Sequence, residues 1–413
     1  MSNTSLTASI VAKASVKILE NELGMGSRVF RGYEEEFSKN VNGYKVGDTV
    51  SIRKPPMFTV RSGAVAATQD VTEGTTTIVV NQQKGIDFKF TSSDLTLKMG
   101  DLAERVIKPA MVKLAHEIDL DLLGLYTGVP GWVGTVGSTM NGYASFARAT
   151  QYLAEWAAPT DSRSLVLSPA DRTDVMSNLT GLYIQRSAER AYREGEMGTI
   201  DGFDTFTTQN VRTMTAGSRT NGTVTGAGQN VTYSGAQANL WTQSLNLAGM
   251  GASGTIAAGD VFTISSVYRI NPVTKERIGT QLQQFTVTTA ATADGAGAVT
   301  VTISPPIITS GAFQTVALAS GTSLPSGGTV TWAATASTGY SQNLAFHKNA
   351  FALVTVPMQK PSGAVEVARE SYNGMSVRVI PGYDIINDES LWRLDILYGV
   401  RVIDPRLAVR VAR

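Results

Sequence analysis

The chain contains no cysteine, which excludes disulfides, thiolate metal sites and a thiol nucleophile. That absence fits a protein made in a reducing compartment. There are two histidines, His116 and His347. No apolar run approaches the ~18 residues of a membrane span, so no membrane partner is expected. The opening residues, Met1 to Gly24, lack a basic start followed by a continuous apolar run, so no secretory signal is expected either. The 35 basic and 34 acidic residues leave a net charge of +1. This excludes a strongly basic nucleic-acid binder and an acidic solvating chain. The sharpest shortage is local. Between Phe206 and Gln342, 137 residues carry eight charged side chains: Arg212, Arg219, Asp260, Arg269, Lys275, Glu276, Arg277 and Asp294.

Thr, Ser, Ala, Gly and Val fill that segment, punctuated by turn signals. Val261 to Val267, Gln283 to Thr288 and Val299 to Ile303 read as strands, and Asp294-Gly295-Ala296-Gly297 as a hairpin turn. Short strands with such turns imply a small antiparallel barrel or sandwich. The flanking sequence is charged and helix-bearing. The shift marks an all-β module set into a mixed α/β host, and 413 residues leave room for two or three domains.

Along the host, periodicity predicts a helix over 5–23, with Ile10, Ala14, Ile18, Leu19 and Leu23 as its stripe and Gly24 and Gly26 as its stop. Such a helix must dock on its own body or on a neighbour. Residues 44–92 read as a long two-stranded arm. Val46, Val50 and Ile52 alternate with polar residues, Pro55-Pro56 ends the strand, and Ile86, Phe88 and Phe90 mark the return leg. A ribbon of two strands is marginal in water, so it too needs a partner. Candidates for contact between subunits are therefore Ile10 and Ile18 on the helix, and Val50, Ile52, Arg53, Phe88 and Phe90 on the arm. A helix over 101–126 has Leu102, Val106, Ala110, Leu114, Ile118 and Leu122 at every fourth position. It contains Pro109, which predicts a kink near Arg105 or a fresh start there. Next come a helix over 145–156, a buried strand at 165–167, and a helix opened by Ser168-Pro169-Ala170-Asp171, a good start signal. Strands are expected at 353–356, 376–380, 391–397 and 400–410.

No chemistry-bearing constellation emerges. Gly249-Met250-Gly251-Ala252-Ser253-Gly254 matches a dinucleotide pattern, but no helix follows, so it reads as a loop. His116, Glu117 and Asp119 lack the spacing of metal ligands, and His347 has no obvious acid partner. Asp384, Asp388 and Glu389 form an acidic group without a nucleophile or basic clamp. Arg406 and Arg410 would share a strand face. One reading turns them toward nucleic-acid phosphate, and the other makes them a charged edge. No catalytic residue, cofactor or metal is expected.

The order of these parts resembles the major coat proteins of tailed bacteriophages, in particular the family of the Salmonella phage P22 coat protein. Similar to that family are Tyr44-Lys45-Val46-Gly47-Asp48-Thr49-Val50 and Arg53-Lys54-Pro55. So are Phe90-Thr91-Ser92-Ser93-Asp94-Leu95 leading to Glu104-Arg105-Val106-Ile107-Lys108-Pro109, and Ala191-Tyr192-Arg193-Glu194-Gly195 with Gly202-Phe203-Asp204. Asn343-Leu344-Ala345-Phe346-His347 and Arg393-Leu394-Asp395-Ile396-Leu397-Tyr398-Gly399 complete the set. The resemblance implies an α+β tailed-phage major capsid fold. Its parts would be an N-terminal arm (1–43), an extended β-loop (44–92), a spine helix with peripheral and axial core (93–205), an inserted β-barrel domain (206–342) and a return to the core (343–413). It also implies a virion protein that packs against copies of itself in hexamers and pentamers. Its partners would be a scaffolding protein, a portal protein and, non-specifically, double-stranded DNA. Two other readings stay open: an encapsulin-like container on the same fold, and a β-rich surface-binding protein.

Overall fold

The structure, a computed structural model, describes residues 8–31, 47–54, 56–58, 63–64, 66, 68, 71, 74–91, 103–134, 143–180, 197–363, 366–387 and 389–412. The elements run α1 (Ala8–Glu22), β1 (Asp48–Lys54), β2 (Gly74–Val80), β3 (Gln82–Thr91), α2 (Lys108–Leu123), β4 (Trp132–Val133), α3 (Tyr143–Glu155), β5 (Arg163–Leu167) and α4 (Pro169–Thr180). Then come β6 (Thr199–Ile200), β7 (Phe203–Thr207), β8 (Thr213–Thr215), β9 (Gly222–Val224), α5 (Gly235–Leu240), β10 (Gln243–Ala248), β11 (Thr255–Ile256), β12 (Val261–Ile270), β13 (Arg277–Val287), β14 (Ala291–Thr292) and β15 (Val299–Ser304). The rest are β16 (Val316–Leu318), β17 (Thr329–Trp332), β18 (Gly339–His347), β19 (Phe351–Val356), β20 (Ala368–Tyr372), β21 (Met375–Asp384), β22 (Glu389–Val402) and β23 (Ala408–Ala412). They fall into two compact units. One is Met1–Ile52, Thr77–Leu122 and Phe351–Arg401; the other is Arg53–Thr76, Leu123–Ala350 and Val402–Arg413.

In the first unit, β22 is long enough to pair with β21, β19 and β3, and β20 extends the sheet beyond β21. α1 packs on β20 and β21. It buries Ala8, Val11, Ala12, Val16 and Leu19. This corrects the expected stripe: Leu19 and Leu23 are buried, but Ile10 is 40% exposed and Ile18 is half-buried. Both faces of the helix carry apolar residues, and the face with Ala8, Val11, Ala12, Val16 and Leu19 lies inside. Asp119 of α2 accepts from the N–H groups of Gly24 and Gly26, each at 2.8 Å, which holds the chain as it leaves α1. Burial pushes the Asp119 carboxyl up, against these backbone donors.

The arm also differs from expectation. β1 pairs with β2, not with β3. Gly47 N–H meets Val80 O at 2.8 Å at one end of this ribbon. β3 is instead a full member of the five-stranded sheet, with Phe88 opposite Trp392 and Gln82 opposite Tyr398. The break predicted by Pro109 is there. A π-helical turn, Ala103–Ile107, runs directly into α2 one turn before Pro109, the place where the ring would clash and the proline N–H is missing.

In the second unit, a sheet of order β4-β23-β18-β5-β7-β6 carries the core, and β8 pairs with one end of β18. β23 lies between β4, to which it is parallel, and β18, to which it is antiparallel. The expected strand over 400–410 is in fact two, split by a 3-10 turn at Pro405–Leu407. α4 begins as its sequence predicts. Ser168 Oγ accepts from Asp171 N–H at 3.1 Å and meets the Asp171 carboxylate at 2.6 Å. Asn343 locks the same corner, accepting from Ser168 N–H and donating to Asp171.

The low-charge segment forms a closed barrel of six antiparallel strands. Around it run β13, β15, β10, β9, β17 and β12, and β12 pairs back onto β13. Alternation dictates its interior: Leu245 and Leu247 point in, and Ser244 and Asn246 point out. Phe262 and Phe285, fully buried, meet at 5.7 Å between ring centroids, and Trp332 lies 5.0 Å from Phe262. Each such buried side chain contributes roughly 1.5–3 kcal/mol. Three of the segment's eight charged residues, Arg219, Asp260 and Arg269, are buried, Arg269 against Glu155 and Tyr152 rather than within the barrel.

Candidate functional site

Most of the candidates for chemistry among the described residues are engaged within the chain. The glycine-rich run leaves β10 and enters β11, with Gly249 and Gly251 at φ of +77° and +85°. Such angles suit glycine in a turn, and no helix N-terminus follows to meet a phosphate. Among the described residues, no three His, Cys, Asp or Glu side chains come together to hold a metal. Asp119 is engaged with Gly24 and Gly26. His347 is buried, its Nδ1 accepts from Asn349 N–H, and burial pulls its pKa below the ordinary value. Glu389 pairs with Lys89 at 2.8 Å. Asp384 accepts from Ile386 N–H and Asn387 Nδ2 at 2.9 and 2.7 Å, which fixes the tip of the β21–β22 hairpin. Asp388 lies outside the described residues.

A polar cleft of about 430 Å³ is lined by Trp132, Arg148, Glu155, Arg269, Gln281 and Gln284, among others. Its carboxylate, Glu155, is held by Arg269 at 2.8 Å, and Arg269 in turn stacks on Tyr152, 3.8 Å from the ring centroid. The Gln284 side-chain amide accepts from Trp132 N–H at 2.9 Å and donates to Trp132 O at 2.8 Å. It occupies the outer edge of β4 as another strand would. These groups hold the barrel to the core sheet. They supply no nucleophile with a base beside it.

The two arginines proposed to face DNA do not share a solvent face, and this reading is corrected. Arg410 is 0% exposed. It donates to Gly259 O, Thr286 Oγ1 and Gln342 Oε1 and lies over the Trp132 ring. A phosphate cannot reach it. Arg406 sits in the 3-10 turn, bound to Asp404 at 2.7 Å and set 5.5 Å from the centroid of Trp241, so its charge is already matched. Sequence spacing put both on one strand, because the turn between them carries no glycine to announce it.

Of the residues proposed for contact between subunits, Val50 and Ile52 are buried within the chain. Arg53 is exposed and Phe88 half-buried, and the side chain of Phe90 lies outside the described residues. Sequence reasoning missed the most exposed apolar pair. Ile385 and Ile386 are 83% and 92% exposed at the β21–β22 tip, flanked by Tyr383 and Leu391, also exposed. A run of two isoleucines between Asp384 and Asn387 is the signal that could have found them.

Among the described residues no helix is long and apolar enough to cross a membrane. The class is given by the family that the chain matches, a coat protein of a tailed phage. Residues 1–411 match the family described as P22 coat protein, gene protein 5, and the chain belongs to that family. No curated protein matches it. Solved structures similar to it include one from Mycobacterium phage Che8, 14% identical, covering 94% of this chain and 90% of that one at a TM-score of 0.46. The capsid of cyanophage P-SCSP1u is 9% identical, covering 90% and 84% at a TM-score of 0.42. The capsid of an empty GTA particle is 9% identical, covering 93% and 90% at 0.41. The protein is a virion component that assembles with copies of itself into an icosahedral capsid.

Proposed function

We propose that copies of this chain assemble with a scaffolding protein in the host cytoplasm, and that the shell then receives double-stranded DNA through a portal protein. Membership of the coat-protein family over residues 1–411 carries this reading. The same reading takes 1–43 as an arm, 44–92 as an extended loop, 93–205 and 343–413 as the core, and 206–342 as an inserted folding and stability module. Closure of the barrel on itself supports the last assignment, since a closed sheet needs no neighbour to satisfy its edges. Contact with DNA is non-specific and does not use Arg406 or Arg410. Contacts between copies use the outer face of α1, with Ile10 and Ile18, and the exposed Arg53. Val50 and Ile52 serve the ribbon's own packing.

The test is to express the chain alone and with the scaffolding protein of the same genome, and to image the particles by cryo-electron microscopy. Closed shells of uniform size that depend on the scaffold support the reading. Monomers under both conditions overturn it. Uniform shells formed without any scaffold and filled with a host enzyme would favour a container.

A further inference from the structure

Two of the buried arginines of the second unit are paired with acids, and Arg163 is held by the carbonyls of Ala158 and Pro159 in the loop just before it, whereas Arg410 gathers neutral acceptors from distant segments. Arg219 has Asp260 at 2.9 Å and Arg269 has Glu155 at 2.8 Å. The acceptors of Arg410 are instead a carbonyl, an amide and a hydroxyl: Gly259 O at 2.7 Å, Gln342 Oε1 at 3.3 Å and Thr286 Oγ1 at 3.1 Å. They come from three separate stretches. Gly259 is in the turn entering β12, Thr286 is on the barrel strand β13, and Gln342 is on the core strand β18. Trp132 and Tyr126 present their rings to the guanidinium at 5.0 and 5.8 Å. Arg410 itself belongs to β23, in the interior of the core sheet.

Neutral acceptors arranged in a fan, with aromatic faces around them, suit one kind of cation. A guanidinium is planar, delocalised and weakly hydrated, and it spreads its donors over several directions. An ammonium is compact and strongly hydrated, and it cannot reach acceptors on both sides of the slot. The site sits at the junction of barrel and core sheet, and the same junction is stitched by Gln284 on Trp132 and by Thr286 Oγ1 on Thr127 O at 3.0 Å. Burial lowers the Arg410 pKa to about 10, which still leaves it charged at neutral pH.

We infer that the slot lined by Gly259, Thr286, Gln342, Trp132 and Tyr126 is a guanidinium-binding site that works as a latch: filled by Arg410 from β23, it couples the barrel to the core sheet. Emptied, it leaves the barrel folded but free to move on its connections, and it accepts a guanidinium ion from solution.

The experiment uses the full chain and three variants, Arg410→Ala, Arg410→Lys and Arg410→Met. Limited proteolysis reads cleavage in the connections around 208–212 and 334–338, and calorimetry reads how many unfolding transitions there are. In Arg410→Ala the connections are cut roughly tenfold faster or more, as expected for lost hydrogen bonds to a charged group, and unfolding splits in two. Low-millimolar guanidinium chloride restores the slow cleavage, whereas equal sodium chloride or urea does not. Arg410→Lys behaves like Arg410→Ala without rescue. If Arg410→Ala is insoluble, Arg410→Met keeps the stem and isolates the loss of the fork. In the unsubstituted chain, the Arg410 guanidinium protons exchange slowly by NMR. Cleavage at the wild-type rate in the variants, full function of lysine at 410, absence of rescue in Arg410→Ala, or rapid guanidinium exchange would each overturn the latch.

Discussion

In the barrel, apolar side chains such as Leu245, Leu247, Phe262 and Phe285 are inside, and the charged Arg269 is buried outside it, against Tyr152 and Glu155 of α3. In the five-stranded sheet of the other unit, Val377, Val379, Leu394 and Ile396 are inside, yet Ile385 and Ile386 stand almost fully exposed at a hairpin tip. The barrel closes on itself and meets its own needs. The sheet leaves apolar surface uncovered on a turn that Asp384 keeps rigid. For a protein that packs against copies of itself, the closed barrel keeps its apolar side chains covered, and the open hairpin holds two of its own out.

Breaking the barrel should have the largest effect. Phe262→Ala removes a buried ring touching Phe285 and Trp332 and should cost about 3–5 kcal/mol. Urea unfolding checks it, and an unchanged midpoint would show a barrel core that does not need this ring. In the other unit, Asp119→Ala strands the N–H groups of Gly24 and Gly26 and should cost ~1.5–3 kcal/mol. Faster amide exchange at those two glycines is the specific readout. Ser168→Ala removes the cap of α4 and should cost about 1 kcal/mol, measured the same way as Phe262→Ala.

The exposed tip should matter to assembly and not to stability. Ile385→Ser with Ile386→Ser should shift stability by no more than about 0.5 kcal/mol, because neither side chain is covered in the single chain. Particle yield should fall. Wild-type yield would remove the tip from the assembly surface. The smallest effect is a pH dependence from His347. Burial lowers its folded pKa below the ordinary ~6.5, so the unfolded chain binds the proton more readily. That contribution is present above about pH 6.5 and is lost as the pH falls from there toward the folded value, then levels off. The difference in urea midpoint between wild type and His347→Gln should shrink over that window; a constant difference would show that burial does not shift this histidine.

What the sequence disclosed was local. Ser168-Pro169-Ala170-Asp171 contains its own capping partners, and Leu245 and Leu247 alternate with polar residues on a single strand, so both could be read without knowing the fold. Pairing could not. β1 and β3 both alternate, and nothing in either names β2 or β22 as its neighbour. The helix α1 has apolar residues on two faces, and periodicity alone favoured Ile10 over Ala12 because isoleucine is larger. Arg410 was the deepest miss. Its acceptors lie 68, 124 and 151 residues away, and an arginine without a nearby acid looks like surface until the fold brings them in.

Gln284 has a consequence beyond holding the barrel. Trp132 lies on the outermost strand of the core sheet, and its N–H and C=O are the groups that a stray strand would seek. The amide of Gln284 already occupies both. A coat protein accumulates to high concentration in many identical copies, the condition under which open edges recruit one another into amorphous aggregates. One glutamine side chain, standing in for a neighbouring strand, closes that route at Trp132 while leaving the rest of the surface free to make ordered contacts.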